Sequence, residues 1–208
     1  MLTGKKRLGI MWLTVTTLVG LAFYSWGQGL AWQFSGLSAY QFFPLLGLTA
    51  WFTMFTHYVW GALSWRSIVY TRLTGYFVLG CILLHPGLLG YAQYKNGLGN
   101  PPFSFYRYFP PSYNGAVLLG STAVVVFLSF EVFNRLKNRP KIKRIWKWVS
   151  LSQAIAMTLI FVHALYLGDQ LHMGWLKALW IICGIILLPC MYILLRRDFT
   201  NKEMGAKI

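Results

Sequence analysis

Six long apolar stretches constrain the fold of this chain more than any other feature of its sequence. Each has about the 20 residues that an α-helix needs to cross a bilayer, and most of the connections between them are short. The sequence therefore predicts an all-α, polytopic membrane protein, a bundle of six transmembrane helices. Residues 1–208 are expected to form one membrane domain, with spans at about 9–27, 39–63, 68–92, 114–134, 146–167 and 175–195.

The composition indicates lipid as the solvent. Of the 208 residues, 57% are hydrophobic and only 11% are charged, a mixture too apolar for an ordinary soluble domain. A net charge of +15 could by itself indicate nucleic-acid binding. The basic residues, however, form short clusters between the apolar stretches rather than one solvated face. We therefore expect membrane lipid as a partner and no nucleic acid.

The positions of the basic residues predict the orientation. All but three of the nineteen Lys and Arg residues fall in the two terminal segments and in the connections near 66–72 and 135–147. The three exceptions are Lys95, Arg107 and Lys177. Because positive residues concentrate in cytoplasmic connections, both ends of the chain, including Lys207, are expected in the cytoplasm. Uncleaved basic ends and the lack of glycosylation-type loops are typical of a multi-pass protein of the bacterial cytoplasmic membrane.

The three cysteines offer no redox or metal motif. Cys81, Cys183 and Cys190 lie inside apolar stretches, and no C-x-x-C or other paired spacing occurs. We expect them to be small core residues.

Histidines carry the ligand chemistry of this sequence. An ionisable residue at membrane depth is costly, so it is a hypothesis of function by default. His85 lies thirteen residues after Arg72, about 20 Å along a helix, and His163 lies sixteen residues after Lys147, about 24 Å along another. Both spans run outward, so the two imidazoles are expected at similar height in the outer half of the membrane.

Two imidazoles at one level, on two helices, can bind the iron of a b-type haem from its two sides. Small residues must then lie nearby, so that the flat macrocycle can approach the backbone. Such residues flank both histidines: Gly80, Gly87, Gly90, Ala164 and Gly168. The alternative is that each histidine is a polar packing group satisfied by a neighbouring helix, in a haem-free membrane scaffold or transporter-like subunit.

Three segments resemble the ferric reductase-like transmembrane domain superfamily: the run 72–85 that ends in His85, the basic loop 135–147, and the stretch 146–163 that ends in His163. That superfamily includes the haem-binding membrane subunit of the periplasmic methionine sulfoxide reductase system, the six-span metalloreductases and the NADPH oxidases. The resemblance covers about residues 40–195. It implies the haem b membrane subunit of an oxidoreductase, with the iron bound by both histidines. Electrons would pass from a cytoplasmic flavin or reductase, or from quinol, to an acceptor outside.

The chain departs from the two-haem members of that superfamily. Those members carry further histidines one haem layer inward, where this sequence has Ser150 on one span and Thr71 or Arg72 on the other. The resemblance therefore implies one haem, in the outer leaflet. Single-haem relatives hold a flavin at the inner level, so FMN or FAD is the further cofactor implied. No G-x-G-x-x-G motif occurs, and a redox partner protein or quinol would have to supply the electrons.

Two histidines remain outside the proposed pair. His57 lies on an inward-running span about 13 Å above the inner boundary, where it is expected to be a polar core or flavin-contacting residue, the alternative being an inner-haem or quinone ligand. His172 lies in a short outer connection beside Asp169, and is expected to be solvated unless it contacts a haem propionate or an acceptor.

The remaining charged candidates lie at the ends of the spans. Arg107 and Lys95, on the outer side, could pair with haem propionates. Glu131 is expected to form an i,i+4 pair with Arg135, with proton handling for quinol oxidation as the alternative.

Overall fold

The computed structural model describes residues 3–205, with side chains described through residue 200. Lys207, counted above among the cytoplasmic residues, lies outside that range, as does the side chain of Lys202. The described residues form helices and turns without strands. The helices are α1 (Gly4–Gly29), α2 (Ala39–Ala62), α3 (Ile68–Lys95), the short α4 (Phe103–Tyr108), α5 (Asn114–Arg135), α6 (Pro140–Leu167) and α7 (Gly174–Gly205), with 3-10 turns at Pro111–Tyr113 and Asp169–His172.

Helices extend beyond the apolar stretches that predicted them. The fifth span was expected to begin near residue 146, but α6 begins at Pro140, whose fixed backbone suits the first helical position. The basic residues that follow Pro140 are good helix formers, so the helix continues below the apolar segment. The connection between the predicted spans 68–92 and 114–134 contains the end of α3, the short helix α4 and a 3-10 turn. Apolar length predicts the membrane-crossing part of a helix, and capping residues decide where the helix itself begins.

Five of the described helices are long and apolar enough to cross a membrane: α1, α3, α5 with its preceding turn, α6, and α7 as far as Thr200. The helix α2 is not among them, because Trp, Tyr, Thr and His residues lower its mean hydropathy. It nevertheless has 24 residues and carries no Asp, Glu, Lys or Arg. It packs against α1, α3 and α7, and most of its second half is buried. The chain is thus a multi-pass membrane protein, and α2 lies among the other long helices of the bundle.

Contacts at one end of the bundle join the beginning of α1 to the beginning of α3, and the end of α7 to the end of α2. The Trp12 ring, near the start of α1, lies 5.1 Å from that of Tyr70, near the start of α3. The guanidinium of Arg197, near the end of α7, donates hydrogen bonds of 2.9 and 2.8 Å to the carbonyl oxygens of Gly61 and Ala62, which end α2. This end is called the basic end below.

Contacts at the opposite end, called the distal end below, join the other termini of the same helices. The indole of Trp26, near the end of α1, donates to the carbonyl oxygen of Gln41 at the start of α2 at 2.6 Å. The indole of Trp175, at the start of α7, donates to the side chain of Gln28 in α1 at 3.3 Å. The six long helices therefore alternate in direction, and the beginning of α1 and the end of α7 both lie at the basic end.

The core lies between α2, α6 and α7. The rings of Trp51 and Trp180 stack at 3.9 Å, and Phe161 packs beside both. The three cysteines are free and buried, as predicted from their apolar surroundings.

Candidate functional site

The long helices form two antiparallel pairs with a gap between them. Helix α2 packs closely along α3, and α5 packs closely along α6. Within the described residues, α3 and α6 are not closely packed on each other. His85 lies on α3 and His163 lies on α6, so each pair contributes one histidine.

His85 is held by the helix paired with its own. Its Nδ1 atom lies 2.7 Å from the carbonyl oxygen of Phe43 in α2. One turn further along α2 is Gly47, where an added Cβ would lie 2.9 Å from the Cε1 atom of the imidazole. The glycine therefore gives the ring its space, because any side chain at this position would press on it.

His163 is held in the same way by α5. Its Nδ1 atom lies 2.7 Å from the carbonyl oxygen of Ala116. Four residues later is Gly120, where an added Cβ would lie 2.5 Å from both the Cε1 and Nδ1 atoms of the ring. The two histidines thus share one local device: a helix carbonyl holds Nδ1, and a glycine four residues later leaves room for the ring.

These contacts define the tautomer of both imidazoles. A carbonyl oxygen can only accept a hydrogen bond, so Nδ1 of each ring carries the hydrogen. In a neutral imidazole the lone pair then lies on Nε2. Among the described residues, no protein group hydrogen bonds to Nε2 of either ring. A donor bond from one ring nitrogen to a carbonyl is the usual way in which proteins orient a metal-binding histidine.

The two rings lie at the same end of the bundle. Phe43 and Ala116 are each within the first turns of helices that run from the distal end toward the basic end. Two rings with free Nε2 atoms, one from each helix pair, are groups that would hold the iron of a haem. The residues present therefore fit that cofactor.

The glycines predicted to admit a macrocycle occupy different surroundings. Added Cβ atoms at Gly80 and Gly87 would meet nothing within 4 Å, whereas Gly90 packs against Pro101 and Phe105. Gly87 therefore faces open space beside His85, and its predicted contact with a cofactor stays a prediction. The sequence reasoning missed Gly47 and Gly120. A sequence pattern could have indicated them: each glycine lies in the first half of the helix that comes directly before the helix with the histidine.

A cavity of about 720 Å³ opens between α2, α3 and α5 toward the basic end. It reaches from Arg66, in the connection between α2 and α3, to Ile82, which is one turn before His85 on α3. Most of its lining is apolar, and three cationic side chains also line it: Arg66, Arg72 and Lys137.

His57 lines this cavity and has its own partner. Its Nε2 atom lies 2.6 Å from the hydroxyl oxygen of Thr74. Because Thr74 donates its hydroxyl hydrogen to the carbonyl of Tyr70 at 2.6 Å, Nε2 of His57 is the donor to Thr74. His57 thus has the opposite tautomer from His85 and His163. It is a polar residue satisfied at the α2–α3 contact, and it also faces the cavity.

The other sites singled out in the sequence are separate from the histidine pair. Ser150, at the position of a family inner ligand, donates to the carboxylate of Asp198 at 2.6 Å. Glu131 accepts a bond of 3.0 Å from Arg135, which confirms the predicted pair. His172 is exposed in the Asp169–His172 turn.

On α4, between the long helices α3 and α5, Arg107 is exposed and donates to the carbonyl of Leu98 at 3.4 Å. Its predicted pairing with a propionate stays a prediction. This short helix is folded against α2, because the rings of Tyr40 and Tyr108 stack at 5.2 Å. Burial, with smaller effects from Tyr40 and Asp169, raises the pKa of Tyr108 above its ordinary value.

Comparisons of the chain with protein-family models, with curated proteins and with solved structures find no match. Within the described residues, no three His, Cys, Asp or Glu side chains converge as they would on a bare metal ion. The case for a site therefore rests on the geometry of the two histidines and of the cavity.

Proposed function

We propose that this chain is the haem b subunit of a membrane oxidoreductase, with one haem held between α3 and α6 by His85 and His163. The observation that carries the proposal is the shared anchoring of the two imidazoles. Each has Nδ1 fixed by a carbonyl at 2.7 Å and Nε2 without a protein partner. Nε2 of a histidine whose Nδ1 donates to a carbonyl is the atom through which such a residue binds a metal, and here two histidines have this arrangement.

The proposal includes six membrane crossings. The alternating directions of the long helices require α2 to cross between α1 and α3. Its freedom from charged residues and its central position support this. We place both termini in the cytoplasm of a bacterial cell, because the basic end gathers nearly all Lys and Arg residues. The haem then lies in the outer leaflet.

The cavity between α2, α3 and α5 at the basic end is the proposed entry point for electrons. Arg66, Arg72 and Lys137 would attract the phosphate of a flavin, FMN or FAD, or an anionic face of a cytoplasmic reductase. A membrane quinol is the other donor that the cavity could admit, with Glu131 or His57 to take up a proton. The cavity ends one turn below His85, so a donor bound there lies near the haem position.

The chain's own part in such electron transfer is positional and electrostatic. The carbonyls of Phe43 and Ala116 hold both imidazoles in one tautomer and one orientation. Gly47 and Gly120 leave the space that the rings occupy. The apolar composition of α3 and α6 would lower the polarity around a haem, which influences its reduction potential. A haem supplies the one-electron chemistry once it is bound.

The arrangement also agrees with the resemblance to the ferric reductase-like transmembrane domain. That family would place one ligand on the third and one on the fifth long helix, which are α3 and α6 here. The lack of a histidine near Ser150 or Thr71 supports a single haem rather than two.

The visible spectrum of the purified protein tests the proposal. Reduced-minus-oxidised Soret and α bands should appear in the wild type and disappear in His85→Ala and in His163→Ala. The matched controls are His57→Gln and His172→Gln, which should keep both bands. A colourless wild-type preparation from haem-replete cells would favour the second candidate, a haem-free scaffold or transporter-like subunit. The satisfied bond of His57 to Thr74 shows how a histidine would serve such a scaffold.

A further inference from the structure

Two polar side chains are completely buried near the distal end without a hydrogen-bond partner. Gln93, on α3, and Ser104, on α4, each have 0% of their surface exposed. Neither the amide oxygen and nitrogen of Gln93 nor the hydroxyl of Ser104 is bonded to any described group. Buried amides and hydroxyls are costly to leave unpaired, so such a cluster calls for a ligand with matching polar atoms.

The two side chains belong to one contact. Helix α4 packs on α3 at Gly90, where an added Cβ would lie 2.7 Å from Pro101 and 3.8 Å from Phe105. Gln93 is three residues after Gly90, and Ser104 directly precedes Phe105. Both are therefore buried at the α3–α4 contact.

This contact lies on the outer side of both histidines. His85, Leu89 and Gln93 are spaced i, i+4 and i+8, so they share one face of α3, with Gln93 about 12 Å farther along the axis. The side chain of Gln93 leans back toward the start of the helix, which shortens the separation. On the other pair, Asn114 is two residues before Ala116, whose carbonyl holds His163, and its Oδ1 atom is also buried without a partner.

We infer that Gln93 and Ser104, together with Asn114 of the other helix pair, bind the carboxyl groups of the haem propionates. This inference rests on the proposed haem. A carboxyl group accepts hydrogen bonds from an amide N–H and from a hydroxyl, and in its protonated form it also donates to an amide oxygen. The unpaired atoms of these side chains include all three kinds of group. Arg107, one turn after Ser104 on α4, adds an exposed positive charge to the same short helix.

Two haems that differ only at the propionates test this assignment. Haemin and its dimethyl ester are titrated into the full-length haem-free protein, and affinities are read from the Soret band. The wild type should bind haemin more tightly than the ester. Gln93→Leu should weaken haemin binding roughly tenfold and leave ester binding nearly unchanged. A Gln93→Leu loss that is equal for haemin and ester would overturn the pocket.

The thermal stability of the haem-free protein gives a second readout. Gln93→Leu removes an unpaired buried amide, so it should raise the melting temperature of the haem-free protein while it lowers haemin affinity. An amide that only supports the fold would lower both. Tyr91→Leu is the matched control on the exposed face of α3, and it should change neither affinity. If the wild type binds neither haemin nor its ester, the proposed function fails, whereas equal affinity of the wild type for both overturns the propionate pocket alone.

Discussion

His85 and His163 are anchored by the same contact on two different helices, with Nδ1 of each ring 2.7 Å from a helix carbonyl oxygen. In each case the residue four positions after that carbonyl is a glycine, Gly47 or Gly120, which lies against the ring. Because the same contact occurs twice, both imidazoles have the same tautomer, with Nε2 free on each ring. Two equivalent ligands, one from each helix pair, are what a haem between the pairs requires.

The first prediction concerns the two contact glycines. Gly47→Ala and Gly120→Ala place a methyl group within 2.9 and 2.5 Å of an imidazole, so each ring must move away from its carbonyl. We expect haem affinity to fall by about 1–3 kcal/mol, the usual cost of overpacking, measured by haem titration of the purified protein. Gly20→Ala, on α1, is the matched control, since its Cβ would also meet nothing within 4 Å. Equal effects in all three variants would mean that the glycines do not act through the histidines.

The second prediction concerns the entry of electrons at the cavity between α2, α3 and α5. Arg72→Gln and Lys137→Gln remove positive charge from its lining, so reduction of the haem by reduced FMN should slow several-fold and lose part of its salt dependence. Stopped-flow absorbance at the α band measures this rate, with a neutral quinol as the second donor.

The control for the cavity charges is Lys143→Gln, which changes an exposed residue of α6 that does not line the cavity. It should leave the rate unchanged. If it slows reduction as much as Arg72→Gln does, the effect belongs to the general surface charge, and the cavity is not the entry point.

The third prediction concerns the clamp between α7 and α2. Arg197→Met leaves the carbonyls of Gly61 and Ala62 without their charged donor, which should cost about 1.5–3 kcal/mol of stability. Thermal unfolding in detergent should show a lower midpoint, while the haem spectrum of the folded protein stays the same. The neighbouring Arg196→Met changes an exposed side chain and should have little effect. A normal midpoint in Arg197→Met would show that the two hydrogen bonds do not hold the helices together.

The fourth prediction separates two roles of Glu131. As half of an exposed helical pair, it should contribute only about 0.2–0.5 kcal/mol, so Glu131→Gln should unfold at nearly the wild-type temperature. A proton-accepting role would instead appear as slower haem reduction by quinol and unchanged reduction by FMN. Comparison of the two donors in this variant therefore decides which role the carboxylate has.

Much of the helical framework follows from the sequence because lipid imposes simple rules. Apolar length predicts where helices must lie, and a fixed rise per residue allows the heights of His85 and His163 to be compared before any fold is known. The i,i+4 pair of Glu131 and Arg135 could be predicted for the same reason, since it depends on one helix alone.

Contacts between helices could not be predicted in this way. The partner carbonyls of Phe43 and Ala116, and the glycines beside them, depend on the rotation and pairing of helices, which hydropathy does not encode. The central position of α2 was equally hidden, because hydropathy predicts that a helix crosses the membrane and not which helices surround it. The buried Gln93 and Ser104 were missed because the folding of segment 93–113 against α3 leaves no periodic signal.

The most direct test of the haem assignment is rescue of cavity variants with free imidazole. His85→Gly and His163→Gly each remove one ligand and leave a space of imidazole size. We predict one haem per chain in the wild type, loss of the bis-imidazole spectrum in each variant, and its return when imidazole is added. A wild type without haem, or variants whose spectrum equals that of the wild type before imidazole is added, would contradict the account.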